Sequence, residues 1–185
     1  PKYIFIDNEK IQILDASNLW GKSTYETENI LKQIHGNKAQ VISIGQAGEN
    51  LVRLAGLNHN MSNMAARCGL GSVLGFKKVK ALVAKGDSPI PVSDPKELSD
   101  DRKKTTQLYK TDPTITILKK GGTAAFFGYL MEIDDVPTKN WSMKSSNFLQ
   151  LSSKISGQAV EELNLMNGRG SCYMCPIACK KFTNL

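Results

Sequence analysis

The chain has 185 residues, which is enough for one large domain or two small ones, and its 41% apolar content is ordinary for a globular protein. It carries 24 basic and 17 acidic residues, a net charge of +7. This charge favours anionic partners such as phosphates, nucleic acid or an acidic protein, although a solvated basic surface would also explain it. We recognise no signal peptide and no apolar run long enough to span a membrane in this sequence, and we expect neither secretion nor membrane insertion.

The first half of the chain is rich in β-branched and aromatic segments. Residues 3–6 and 10–14 flank a short polar stretch and predict a hairpin. Ser23 and Glu26 have the spacing of a capping box, so they predict the start of a helix. We also expect strands over 40–44, 51–57 and 79–84, a turn over 45–50, and a short helix that opens over 64–67.

A proline-rich stretch, with prolines at positions 89, 91 and 95, marks the clearest boundary in the sequence. Beyond it the composition favours helix. Asp94 and Pro95 have the pattern of an N-cap followed by proline at the first helical position. We expect helices over 95–109 and 156–163, and over 123–133 a helix or, because of its aromatic run, a strand. The sequence thus predicts an α+β fold: a β-rich part with short helices (1–91), then a mainly helical part ending in a cysteine loop (92–185).

The strongest motif is the run Cys172, Cys175 and Cys179, which has the spacing C-x2-C-x3-C. Such spacing lets a tight loop aim three sulfurs at one point, as an iron–sulfur cluster requires. Zinc remains an alternative, although the two histidines lie far upstream. A cluster takes four ligands; Cys68 is expected to be buried and unreactive, so we expect the fourth beyond residue 185. Clustered thiols fit a metal site in a reducing cytoplasm better than disulfides.

The second motif is the glycine-containing stretch 63–71. Gly69 and Gly71 could let a ligand approach the backbone. Arg67 precedes them, and Lys77 and Lys78 follow, so an anionic cofactor is one interpretation. The alternative is a tight turn at a strand–helix junction, and the local pattern leaves both open.

Together these motifs resemble a known family. The stretches 15–21, 43–52, 64–75 and 77–86, followed by the three clustered cysteines, occur in the order found in the tungsten-containing aldehyde:ferredoxin oxidoreductases. The similarity runs along nearly the whole chain. It covers only an inner part of a protein several times as long, and we expect the sequence to be a piece of such a protein.

The resemblance implies a function and its cofactors. It implies oxidation of small aldehydes to carboxylic acids at a tungsten or molybdenum bis-pterin centre, with electrons passing through a [4Fe-4S] cluster to ferredoxin. Residues 1–91 would be part of the pterin-binding domain, and 92–185 would begin the helical, cluster-ligating domain. The chain alone is expected to be inactive. The resemblance leaves a homodimer of the parent open and implies neither a membrane nor a nucleic-acid partner.

The resemblance also assigns site residues. Cys172, Cys175 and Cys179 match three cluster ligands. Asn63, Met64 and Ala66 match the loop that touches the pterin, and the Met64 carbonyl matches a ligand of the Mg²⁺ that bridges the pterin phosphates. The family commonly has an arginine where Asn63 stands. No catalytic residue is assigned.

Two other classes of protein remain as alternatives. One is a basic, zinc-binding module that interacts with nucleic acid, in which case binding should weaken steeply with salt. The other is a scaffold domain in which the cysteine turn is inert. The metal content of the purified protein distinguishes these alternatives from an iron–sulfur enzyme.

Overall fold

A computed structural model of the chain describes residues 1–163 and 165–183. The chain divides into two compact units, Pro1–Pro91 and Val92–Leu185. The first unit is a mixed sheet with short helices, and the second is mainly helical and contains one small hairpin. The structure therefore confirms the α+β class and the order of its two parts.

The first unit is built on a six-stranded sheet with the order β2-β1-β6-β3-β4-β5. Strand β1 pairs in parallel with β6, and the other neighbours are antiparallel. The expected hairpin β1–β2 is present. The strands are β1 (Lys2–Asp7), β2 (Lys10–Asp15), β3 (Gln40–Ser43), β4 (Leu57–His59), β5 (Asn63–Ala65) and β6 (Val79–Lys85).

Three helices lie in this unit: α1 (Thr24–His35), α2 (Gln46–Glu49) and α3 (Leu70–Phe76). Helix α1 begins at the expected capping box, in which the Ser23 and Glu26 side chains each bond the other's backbone N–H. Its Leu31 is fully buried in the core with Val41 and Val83. Burying a side chain of this size contributes roughly 1.5–3 kcal/mol, so this face of α1 fixes the helix against the sheet.

Three local predictions in this unit were wrong. The expected strand over 51–57 is mostly a series of turns, because Leu51 has a positive φ of 59° and the backbone N–H of Val52 bonds the Ala47 carbonyl oxygen. The expected turn over 45–50 contains the four-residue helix α2. The expected helix over 64–67 is instead the edge strand β5 followed by a turn, because Met64 pairs with Asn58 across the β4–β5 ladder.

A buried ion pair connects the sheet to the loop that follows β2. The ammonium of Lys80 is fully buried and lies 2.5 Å from Glu49 Oε1, and it also donates a hydrogen bond to the Lys22 carbonyl oxygen at 2.8 Å. Glu49 Oε2 accepts a hydrogen bond from the Gly21 N–H at 2.8 Å. Because each charge is paired and hydrogen-bonded, removal of either partner would leave an uncompensated buried charge. The pair therefore fixes the loop against α2.

Helices α2 and α3 touch through their backbones. A Cβ atom on Gly75 would overlap the carbonyl oxygen of Gly48, and a Cβ on Gly71 would lie 2.6 Å from the carbonyl oxygen of Gly56. Real Cβ atoms do not come this close to a neighbouring backbone. The absence of side chains at Gly71 and Gly75 therefore sets the distance between α3 and the segment 48–56.

The second unit consists of short helices and a hairpin. Asp94 and Asp112 each cap the helix that follows, with proline at its first position, as expected for Asp94. The helices are α4 (Pro95–Thr111), α5 (Pro113–Gly121), α6 (Phe127–Glu132), α7 (Ser152–Ile155) and α8 (Gly157–Glu162), with 3₁₀ turns at Thr123–Phe126 and Ser145–Leu151. The hairpin strands are β7 (Met166–Gly170) and β8 (Lys180–Thr183). Among the residues described, no helix is both long and apolar enough to cross a bilayer.

His35 ends α1 in a half-buried position against the sheet. Its Nε2 lies 2.9 Å from the Tyr3 hydroxyl, and its ring stacks on Phe5 with a centroid distance of 3.8 Å. Burial lowers the pKa of His35, the positive charge of Lys85 lowers it further, and the carboxylate of Asp7 opposes the shift. The folded state therefore favours the neutral imidazole.

The close contact between α2 and α3 can be tested by adding one methyl group. We expect Gly75→Ala to lower the free energy of unfolding by about 1–3 kcal/mol, because the backbone must shift to admit the Cβ. Gly45→Ala is a matched control, since its Cβ would lie 3.5 Å from Thr24 Cγ2, an ordinary contact. Urea unfolding of both variants measures the difference. Equal stabilities would contradict the close contact.

The lowered pKa of His35 predicts a pH dependence of stability. As the pH falls below about 6.5, the ordinary value for histidine, the unfolded chain takes up a proton before the folded chain does, and stability falls. The loss should stop once the pH is below the pKa of His35 in the folded state. Urea unfolding over a pH series should show this loss in the wild type and a smaller loss in His35→Gln. An unchanged pH dependence in the variant would rule out this role.

Candidate metal and cofactor sites

The three clustered cysteines all lie in the loop that connects β7 to β8. The backbone N–H of Cys175 donates to the carbonyl oxygen of Cys172 at 3.0 Å, which closes a turn between the first two thiols. Met174 and Ala178 each have a φ of 52°, and each directly precedes a cysteine. Left-handed residues in turns build the backbone nests that surround iron–sulfur clusters and other anionic groups. The loop therefore has local geometry suited to an anionic centre.

The thiols of this loop are free and accessible. Cys172 is exposed, Cys175 and Cys179 are half-buried, and none of them forms a disulfide. Within the described part of the chain, no three or more His, Cys, Asp or Glu side chains are arranged to hold a metal ion. The loop carries three free thiols, the number that this chain would contribute to the four thiolates of a cubane cluster. The structure does not bring them into a metal-holding arrangement, so the convergence of the three sulfurs stays a prediction. The expected position of a fourth ligand beyond residue 185 stays a prediction.

Cys68 does not behave as the sequence predicted. It was expected to be buried, but it is exposed. Its φ is 66°, and the next residue, Gly69, is also left-handed with a φ of 65°. These two residues turn the chain sharply before α3, which leaves the Cys68 side chain on the outside of the turn.

A backbone contact at Gly122 supports the third thiol. Gly122 follows α5 with a φ of 68°, and a Cβ placed on it would lie 2.6 Å from the carbonyl oxygen of Cys179. Lys181 Nζ donates to the carbonyl oxygen of Lys119 at 2.6 Å, which joins β8, the strand that follows Cys179, to α5. Sequence reasoning missed Gly122. A glycine just after a helix signals a helix end, but the signal does not reveal which segment packs there.

The strands beside the cysteine loop carry positive charge. Arg169 and Lys181 are directly opposite each other in the β7–β8 ladder. Burial lowers the pKa of Lys181, and the charge of Arg169 lowers it further, whereas Glu161 and Cys179 oppose the shift. Two cationic side chains therefore lie on the strands that flank the cysteine loop.

The second candidate segment is the edge strand β5 and the turn after it. Asn63 and Met64 lie on β5, and Ala66 and Arg67 lie in the exposed turn. Because successive strand residues point to opposite faces, the Asn63 and Met64 side chains cannot contact the same ligand on one face of the sheet. This segment can therefore present its backbone to a ligand, but not the Asn63 and Met64 side chains together.

Met64 borders a groove of about 280 Å³ on the helix-covered face of the sheet. Its partner Asn58 also lines the groove, and Ser43 lies opposite Asn58 in the β3–β4 ladder. The buried atoms Asn58 Oδ1 and Ser43 Oγ have no hydrogen-bond partner among the described residues. The other lining residues are Thr24, Gly45, Ala47, Gly48, Val52, Leu54, Ala55 and Gly56.

The groove has features that suit a pterin. A pterin cofactor has N–H donors on its ring system and a phosphate group on its side chain, so it needs acceptors such as Asn58 Oδ1 and a cation. Arg67 is exposed and forms no ion pair with any described residue. The groove and its unpaired acceptor fit such a ligand, and Arg67 lies in the turn that follows β5. The sequence did not identify Asn58, because an asparagine in a short strand carries no recognisable motif.

Gly56 and Gly69 contact protein backbone. A Cβ on Gly69 would overlap the carbonyl oxygen of Arg53, and a Cβ on Gly56 would lie 2.7 Å from the carbonyl oxygen of Ala65. These glycines therefore bring the turn 66–69 and strand β5 against the segment 53–56. The structure supports the tight-turn interpretation of Gly69 and shows how the candidate cofactor segment is held.

Comparison with known proteins places this arrangement in a family. The family model described as the aldehyde ferredoxin oxidoreductase N-terminal domain matches residues 1–86, and the model of domains 2 and 3 of the same family matches residues 101–185. Together they account for both units. The chain belongs to the aldehyde ferredoxin oxidoreductase family, as the sequence motifs predicted.

Individual relatives agree with this assignment. Tungsten-containing aldehyde ferredoxin oxidoreductases from Thermococcus kodakarensis and Pyrococcus horikoshii are each 35% identical to the chain over 187 residues. All of the chain is covered, and it spans about 30% of the length of each relative. Among solved structures, the active-site complex BamBC of benzoyl coenzyme A reductase with 1,5-dienoyl-CoA matches all of the chain and 29% of its own chain, with a TM-score of 0.72 and 26% identity.

The contact between Gly122 and Cys179 leads to a prediction. In the protein expressed from its complete reading frame, we expect Gly122→Ala to reduce bound iron to less than about half, since a left-handed alanine that clashes is strained and must displace Cys179. Gly128→Ala is the control, because its Cβ would meet nothing closer than Ser152 at 3.8 Å. Iron analysis of both variants measures whether the Gly122 contact is needed for iron binding. Full iron content in Gly122→Ala would show that the contact is dispensable.

Proposed function

We propose that this chain is the cofactor-binding and cluster-ligating part of an oxidoreductase that oxidises aldehydes to carboxylic acids. Its redox groups would be a tungsten bis-pterin centre and a [4Fe-4S] cluster, with ferredoxin as the electron acceptor. The observation that carries the proposal is the loop between β7 and β8, which presents three free thiols in eight residues. The names of the relatives support the substrate and the metal.

The two units would have different tasks. Pro1–Pro91 would hold the pterin, with Asn63, Met64, Ala66 and Arg67 in contact with it, and Val92–Leu185 would hold the cluster. The exposed guanidinium of Arg67 would pair with a phosphate group, and the Met64 carbonyl would bind the bridging Mg²⁺. When bound, the metal–pterin centre supplies the two-electron chemistry and the cluster supplies one-electron transfer.

The protein's own contribution in this scheme is to position the cofactors. The glycine contacts beneath β5 and the turn 66–69 keep the backbone rigid where it would meet the pterin. Free thiols become ligands when deprotonated, and the hydrogen bond from the Cys175 N–H to the Cys172 carbonyl oxygen would hold the first two of them in one turn. We assign no general acid or base to the chain, and tungsten and molybdenum remain alternatives.

Aromatic thioester reduction is a second candidate reaction. It is favoured by the structural match to a benzoyl coenzyme A reductase complex, which extends over the whole chain at 26% identity. The aldehyde oxidoreductases are more similar in sequence, at 35% identity. Aldehyde oxidation is therefore the preferred proposal. Assays of the complete protein with an aldehyde and with an aromatic acyl-CoA distinguish the two reactions.

Cellular context forms part of the same proposal. Free, accessible thiols that bind a cluster require reducing conditions, which the cytoplasm provides. Ferredoxin would act there as the soluble electron acceptor. A homodimer of the complete protein is compatible with the proposal, which needs only one copy of each site.

The cluster assignment can be tested by metal analysis of the complete protein purified without oxygen. We expect iron and acid-labile sulfide in the wild type, and loss of most of both when Cys172, Cys175 or Cys179 is replaced by serine, since each removes a thiolate ligand. Cys68→Ser is the matched control and should keep its iron. Stoichiometric zinc without sulfide would favour the zinc-binding alternative. Unchanged metal content in all three loop variants would favour an inert scaffold.

A further inference from the structure

We propose that a basic cleft beside the cysteine loop docks the electron carrier, which must be a small protein with an acidic surface. The inference rests on the proposed function, because docking matters there only if the loop holds a redox centre. It adds to that function a surface and the chemistry that recognises the partner.

The cleft lies within the second unit and has a volume of about 310 Å³. Strands β7 and β8 contribute to it, and so do the C-terminal parts of α5 and α8. These same two strands flank the cysteine loop, so a partner in the cleft would lie against the hairpin that carries the thiols. The lining residues are Lys120, Glu161, Met166, Gly168, Arg169 and Lys181.

The charges in the cleft are unbalanced. Arg169 and Lys181 face each other directly across the β7–β8 ladder. Like charges in such a cross-strand pair destabilise the hairpin. Within residues 1–163 and 165–183, no carboxylate forms an ion pair with either of them. An acidic partner would relieve this repulsion.

The remaining charges do not cancel this excess. Glu161 is the single carboxylate among the described lining residues, and it lies 3.8 Å from Lys120 Nζ. Three cations and one anion therefore face the cleft. Complementary charge of this kind speeds association and orients the partner.

The character of these side chains favours a protein surface over a small anion. Arg169 is exposed, and the Lys120 side chain is 72% exposed. A site for a small anion holds its ligand with buried, fixed donors, whereas exposed cations such as Arg169 and Lys120 suit a transient acidic surface. Each docking event would move one electron: the reduced cluster is oxidised by one electron, the oxidised carrier is reduced by one, and no bond is made or broken.

The test uses the complete enzyme, with Arg169→Glu and Lys120→Glu as charge reversals. Lys103→Glu on α4 is the control, because it makes the same change in net charge at an exposed lysine outside the cleft. Aldehyde oxidation is measured with a purified acidic ferredoxin as acceptor and, separately, with benzyl viologen, a small cationic dye. Iron content is measured for every variant.

We expect each reversal to raise the KM for ferredoxin by about 5–10-fold and to flatten its dependence on salt, because an attractive charge becomes repulsive. The dye-linked rate and iron content should match those of Lys103→Glu. Ferredoxin kinetics identical to the control, with normal dye-linked rates, would overturn the docking proposal alone. A wild-type enzyme without iron or dye-linked activity would instead overturn the proposed function and the docking proposal with it.

Discussion

Direct backbone contact at glycine residues is the constraint on which both candidate sites depend. In the first unit, Gly56 and Gly69 bring the segment with Met64 and Arg67 against residues 53–56. In the second unit, Gly122 packs on the carbonyl oxygen of Cys179. A side chain at any of these positions would separate segments that must touch. Both candidate sites lie in loops, turns or an edge strand. The glycine contacts hold these segments against their neighbours at a distance that a larger residue would not allow.

The main elements of the fold could be predicted from local sequence patterns. The capping box at Ser23, the Asp94 cap and the β-branched and aromatic residues of β1 are all local signals, so they could be recognised. Strand β5 could not, because its three residues are extended only through pairing with β4. The turns over 51–56 were missed for a similar reason: a positive φ at Leu51 has no sequence signature.

The candidate site residues also divide into those that local sequence patterns reveal and those that they do not. The three thiols could be picked out because their C-x2-C-x3-C spacing is itself a sequence pattern, and their ligation of a metal stays a prediction. The exposure of Cys68 could not, since it results from two consecutive left-handed residues. Asn58 and Gly122 were also missed, because their importance comes from segments distant in sequence. The candidate sites are positioned by contacts between segments that are distant in sequence. Such contacts cannot be predicted from a single sequence.

The central claim is that Cys172, Cys175 and Cys179 bind one iron–sulfur cluster. Anomalous diffraction at the iron absorption edge, from crystals of the complete protein grown without oxygen, tests it most directly. We expect the iron signal to be a single compact group bonded to all three Sγ atoms. An iron site elsewhere, or a loop in which the Cys179 Sγ contacts no iron, would contradict the claim.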